Sequence, residues 1–115
     1  MHRLTFTAAL VAIVAGLALT GLASAGARGT TLIATDGPGF TITMNEKTVK
    51  AGTYTIVVHD KSNIHNFHLM GPGVNKLTSV PKVYTTTWTV ELKKGTYKFQ
   101  CDPHATIMKG TLKVT

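Results

Sequence analysis

Residues 96–114 read TYKFQCDPHATIMKGTLKV, two alternating runs with a cysteine-containing loop between them. Tyr97 and Phe99 alternate with Lys98 and Gln100, and Leu112 and Val114 alternate with Thr111 and Lys113. Successive side chains of a strand point to opposite faces, so each run can bury one face and wet the other. The pattern predicts two half-buried strands and a loop that carries Cys101, His104 and Met108. Two sulfur groups and an imidazole thus fall within eight residues.

The same period recurs upstream. Phe40, Ile42 and Met44 alternate with Thr41 and Thr43, Tyr54, Ile56 and Val58 with Thr53, Thr55 and Val57, and Trp88, Val90 and Leu92 with Thr87, Thr89 and Glu91. Turn signals separate the runs at Asp36-Gly37-Pro38-Gly39, Lys50-Ala51-Gly52, Asp60-Lys61-Ser62-Asn63 and Lys93-Lys94-Gly95. With strands near Thr31–Thr35 and Ile64–Met70, about seven strands fill the domain. No stretch beyond the first twenty-five residues has a helical period, and no helix is available as a crossover. The expected fold is therefore an all-β, antiparallel β-sandwich. Phe40, Tyr54, Ile56, Trp88 and Phe99 are expected to carry its core. Gly71–Tyr84 reads as a long irregular connection between the sheets, and there is neither a repeat nor a second domain.

Residues 1–25 stand apart. His2 and Arg3 open them, Leu4–Leu22 carries no charge, and Ala23-Ser24-Ala25 is a small-x-small box. This is the pattern of a cleaved export signal. The apolar run is nearly long enough to cross a bilayer, so an uncleaved anchor is the competing reading. Cleavage is favoured by the position of the box and by the flexible-looking Gly26–Thr31. The mature domain is then 26–115, exported to the periplasm or the extracellular space.

A domain of that size buries only ~60–65% of the surface its unfolded chain exposes. Small exported domains often add disulfides, but Cys101 is the only cysteine. A lone thiol in an oxidising compartment is either buried and inert or held by a metal. Lysine and arginine outnumber aspartate and glutamate by twelve to five, or eleven to five once Arg3 leaves with the signal. The basic residues are dispersed from Arg28 to Lys113 and have few aromatic companions. That is a solvated basic surface, suited to an acidic protein partner or an anionic membrane, and not a nucleic-acid stripe.

Counting parity from Phe99 places Cys101 inward. Within SNIHNFHLM, His65 shares parity with Phe67 and Leu69, whereas His68 falls on the other face. Taken singly, an inward cysteine is a small hydrophobe, a methionine is core filler and a histidine beside a turn is solvated. Taken together, a thiolate, two imidazoles and a thioether are the donor set of a copper site that must serve two oxidation states. The loop Cys101–Met108 can bring three donors round one ion, with His65 arriving from a separate strand.

The chain resembles the cupredoxins, particularly the small exported plastocyanin-like and amicyanin-like ones. The motifs are His65-Asn66-Phe67, Tyr97-Lys98-Phe99-Gln100-Cys101-Asp102-Pro103-His104 and Met108-Lys109-Gly110-Thr111. The resemblance implies a Greek-key β-sandwich holding one copper ion through His65, Cys101, His104 and an axial Met108. It implies too that Asn66 ties the two ligand loops together. His104 would be the donor nearest solvent, ringed by Ala105, Ile107 and the Gly71-Pro72-Gly73 turn. Pro103, which has no N–H, would withhold a hydrogen bond from the sulfur and stiffen the turn. Two details depart from the plastocyanin pattern: three residues separate His104 from Met108, and Asp102 stands where serine or threonine is more familiar.

The function implied is that of a monomeric one-electron carrier, copper cycling between Cu(I) and Cu(II), with a transient and acidic redox partner. Copper delivery or scavenging by the same ligands is the alternative. One domain with one four-ligand set leaves no second metal or substrate site, so no enzyme activity is expected.

Overall fold

A computed structural model of the chain describes residues 30–115. The export signal and its boundary at residue 25 lie outside the described residues. Nine strands form two facing sheets. They are β1 (Thr30–Asp36), β2 (Ile42–Met44), β3 (Thr48–Val49), β4 (Gly52–Asp60), β5 (His68–Gly71), β6 (Val74–Leu77), β7 (Tyr84–Leu92), β8 (Gly95–Gln100) and β9 (Lys109–Val114). Sheet order is β2-β1-β4-β7 in one layer and β3-β9-β8-β5-β6 in the other. The helical element among the described residues is a 3-10 turn, Asp102–His104, and none of them forms a helix long and apolar enough to cross a membrane.

The period-two reading of the sequence is borne out where it was strongest. Leu32, Ala34, Ile56, Val58, Val90 and Leu92 line the inner face of the first sheet, and Leu69, Tyr97, Phe99, Leu112 and Val114 that of the second. Two features differ from the expected purely antiparallel arrangement of about seven strands. β1 runs parallel to β4, and β3 parallel to β9. The chain leaves the first sheet after β2, adds the two-residue β3 to the second, and returns as β4 beside β1, a crossing that brings β4 back in the direction of β1. The stretch 71–84 is also less irregular than expected, because Val74–Leu77 pairs with β5 as a hairpin.

Aromatic rings cross the second sheet over glycines. The Tyr97 ring covers Gly71 and the Phe99 ring covers its cross-strand partner Gly110. The Tyr97 hydroxyl donates to the Pro72 carbonyl at 2.7 Å and accepts from the Lys93 N–H at 2.9 Å, so the buried ring keeps its polar tip satisfied. Phe99 stacks on Phe67, with centroids 5.4 Å apart. The packing fixes β8 along its length and so fixes where Cys101, the residue after it, emerges.

Candidate metal centre

Cys101 leaves β8 at the end of the sandwich where β1 and β4 finish and β5 begins. Pro103 sits in the first turn of the 3-10 segment, where its missing N–H costs no bond. The loop then closes on itself: the His104 N–H donates to the Cys101 carbonyl, the Met108 N–H to the His104 carbonyl, and the Cys101 N–H to the Met108 carbonyl, at 2.9–3.0 Å. Met108 is thereby drawn back beside Cys101 and fully buried.

His65 lies in the loop before β5, just after a turn at residues 63–64, and not in the strand expected to start at Ile64. It is nonetheless fully buried, as are Phe67 and Leu69. Parity succeeded at His65 although Asn66, which should have faced outward, is buried as well. The His65 Nδ1 lies 3.1 Å from the His104 Nδ1 and 3.7 Å from the Cys101 Sγ, and the His104 Nδ1 lies 3.5 Å from that sulfur. These atoms form one cluster within 4.8 Å. Two ring nitrogens facing each other can share only one proton between them, and a sulfur completes the triangle. An ion bonded at about 2.0–2.1 Å to nitrogen and about 2.3 Å to sulfur spaces its donors by comparable distances. The residues present fit a metal ion, and a thiolate with two imidazoles suits copper.

Around the cluster runs a polar frame. Asn66 accepts from the Asp102 N–H at 2.7 Å and donates to the Asp102 carboxylate at 2.9 Å, so the expected tie between the two loops is present in both directions. Its carboxylate half depends on Asp102, the residue that departs from the plastocyanin pattern. Asp102 also receives Gln100 at 2.9 Å and pairs with His68 at 2.8 Å. Burial pushes its carboxyl upward, but the Gln100, Asn66 and His68 contacts outweigh that and hold it below the ordinary value. Burial likewise acts downward on His68, and the bonds to Asn75 and Asp102 with the Asp102 charge bring it above the usual histidine value. Thr78, unremarked in the sequence, accepts the Phe67 N–H on its hydroxyl at 2.8 Å and donates its own N–H to the Phe67 carbonyl, pinning the His65 loop from the other side.

Two expectations about the surroundings are corrected. Phe40 is not core: it is 57% exposed, and its ring meets His65 and His104 edge-on at 5.1 and 5.0 Å. Residues 37–40 follow β1 directly, and the Gly-Pro-Gly turn frees Phe40 from the strand parity that placed it inside. Gly37, at φ 68°, packs so closely that a Cβ there would come within 2.9 Å of Ser62 and 3.4 Å of the His65 ring. The Gly71-Pro72-Gly73 turn does not ring His104. Pro72 contacts Gly95, at the opposite end of β8. The apolar rim consists of Phe40, Ile64 beside His65, and Ile107, whose N–H donates to the His104 carbonyl. A large aromatic directly after a glycine-rich turn was the signal available for Phe40.

His68 and His59 stand outside the cluster, His59 bonded to the Thr85 hydroxyl at 3.1 Å. In copper titrations followed by visible absorption, His65→Ala abolishes the thiolate band, whereas His68→Ala retains it and loses about 1 kcal/mol or less with its partly exposed ion pair. The reverse pattern would place the site on the other face of the segment.

A two-layer β-sandwich with a cysteine and two histidines converging at one end defines a class of metal-binding domain. The chain matches the cupredoxin-like domain family over residues 8–114 and belongs to it. Among solved structures it is similar to reduced rusticyanin, at 21% identity over 76% of this chain and 79% of the other, with a TM-score of 0.58. A second structure, of the copper protein rusticyanin, gives 20% identity, 76% and 78% coverage, and a TM-score of 0.58. Dithionite-reduced auracyanin from the photosynthetic bacterium Roseiflexus castenholzii gives 20%, 76% and 98%, and 0.53. At these identities the likeness is one of fold. No curated protein matches the chain significantly.

Proposed function

We propose that this protein is an exported blue-copper carrier of single electrons, with one copper ion that His65, Cys101, His104 and Met108 would hold. The observation that carries the reading is the convergence of two Nδ1 atoms and a thiol sulfur within 3.1–3.7 Å, two of the three residues being fully buried. Copper bound there supplies a one-electron couple between Cu(II) and Cu(I). The chain contributes rigidity: the closed 101–108 loop, the Asn66–Asp102 tie and Thr78 hold the donors in one arrangement for both charges. His104 is the partly exposed member of the set, and Phe40, Ile64 and Ile107 give its edge an apolar surround on which a redox partner can settle briefly. The dispersed basic surface favours an acidic partner and a monomer, and gives no nucleic-acid site.

Adding Cu(II) to the purified protein tests the site: an intense blue or green band supports it, and a colourless protein overturns it. Rapid electron self-exchange with copper retained supports the carrier role. Prompt transfer of copper to a metal-free acceptor, with slow electron exchange, would instead favour delivery. Met108→Leu retains copper and colour but raises the reduction potential, because loss of a weak thioether donor would favour Cu(I). An unchanged potential in voltammetry would remove Met108 from the ligand set.

A further inference from the structure

Beneath the candidate metal centre lies a pair of carboxyl groups with no role in it. Asp36 ends β1 and Asp60 ends β4, and the two stand opposite each other in the parallel ladder. Both point inward, at 0% and 1% exposure. Both Asp36 oxygens and the Asp60 Oδ2 find no donor, while the Asp60 Oδ1 accepts only a long 3.4 Å bond from the Ser62 N–H. As buried neighbours on one face of a parallel ladder, their side chains stand side by side. Among the described residues the only ion pair is His68–Asp102, so no cation compensates them. Two adjacent buried carboxylates cannot both stay ionised, because each carries a desolvation cost and repels the other. A single proton turns the unpartnered oxygens into a donor and an acceptor.

We propose that Asp36 and Asp60 share one proton, forming a buried proton-binding site that links the two loops in front of the metal centre to pH. Those loops start from the pair itself. Gly37–Thr41 follows Asp36 and carries Phe40; Lys61–Phe67 follows Asp60 and carries His65. The Lys61 N–H donates to the Asp36 carbonyl at 3.0 Å, joining the two exits. With the proton in place the strand ends are held together. Its loss leaves two buried negative charges side by side and drives the exits apart, loosening Phe40 over His65 and His104.

The groups around the pair are few. Ile42 of β2 stands opposite Asp36, Tyr84 of β7 stands opposite Asp60, and Lys61 is exposed. The His65 ring packs against Gly37, the residue after Asp36, and its Nε2 is buried without a partner. Burial, then the hydrogen bond and charge of Asp60, push Asp36 up from 3.8 to about 7. A carboxyl raised on folding contributes stability that is complete below its unfolded value and is lost as pH rises through the folded one. The window is therefore about pH 4 to 7. His68 also loses stabilisation as pH rises, but equally in variants that keep it, so a difference between variants isolates the aspartates.

The test uses the full chain without metal, as wild type, Asp36→Asn and Asp60→Asn. Infrared spectra of wild type at pH 6, where ordinary carboxyls are ionised, should show a protonated carboxyl stretch that disappears on going to pH 9 and is absent from both variants. Urea unfolding should show the wild-type folding constant falling relative to Asp36→Asn across that window, by about a thousandfold at most, at tenfold per pH unit. Protection of the amides in residues 37–41 and 61–65, taken relative to their base-catalysed intrinsic exchange, should fall over the same range in wild type alone. No protonated carboxyl at pH 6, or parallel stability curves for wild type and variants, overturns the proposal. So does a divalent cation that copurifies in equimolar amount and is lost on either substitution. If a variant fails to fold, the wild-type infrared titration still decides.

Discussion

Replacing Cys101 by alanine abolishes the intense visible band of the copper-loaded protein and leaves a folded sandwich. The band requires a thiolate bound to the ion, and Cys101 is the only thiol in the chain. The fold does not require it. β8 pairs with β9 over six residues and with β5 over three, and its inner face is anchored by Tyr97 and Phe99. The buried sulfur packs as a small hydrophobe, so its removal costs about 1 kcal/mol. The two histidines stay in place, held by the Asn66–Asp102 tie and the loop closure, and can still take up copper in a pale site. Absorption of the copper-loaded variant, beside far-ultraviolet circular dichroism, checks both halves. An undiminished band would show that Cys101 is not a ligand, and an unfolded variant would show that the loop depends on its packing.

Gly110→Ala destabilises the protein by about 2–3 kcal/mol, the cost of forcing volume into a packed core. A Cβ at Gly110 would fall 2.3 Å from the Phe99 Cζ and 2.6 Å from its Cε2. The ring cannot yield freely, because its other face stacks on Phe67. For a small domain with about 5–15 kcal/mol in total, that loss is severe. The strain reaches the metal centre as well, since Phe99 precedes Cys101 by two residues on the same face of β8. The copper band of the variant should broaden or shift. Gly39→Ala is the control: a Cβ there meets nothing within 4 Å, and its effect should stay within about 0.5 kcal/mol. Urea unfolding of the two variants measures the difference. Equal stabilities would mean that the Phe99 ring has a second resting place.

The residues of the site were easier to read than its surroundings. Cys101, His104 and Met108 share one short loop, and a strand of known parity leads into it, so local geometry alone points the cysteine inward. His65 needed the resemblance as well, because the strand assumed to carry it begins only at His68. Its inward orientation comes from burial of the whole 65–67 segment, which alternation does not describe. Asp102 stood out as a departure from a familiar pattern. Its partners His68, Gln100, Asn66 and, through His68, Asn75 come from four different positions along the chain, and nothing local announces them.

What the sequence determined by itself is the class of fold, most of the strands and the candidate donors of the 101–108 loop, because alternation, turn residues and short spacing are local properties encoded where they act. Tertiary structure decided the rest. The crossing of the chain between sheets made β1 and β4 parallel neighbours, and only that placed Asp36 against Asp60. The exit from β1 put Phe40 over the histidine rings, while the antiparallel pairing of β5 with β8 carried Gly71-Pro72-Gly73 to the far end of β8. Such pairings join residues 24 or more positions apart. Which of them form depends on how two whole sheets fit face to face, a property of the packed core and not of any segment within it.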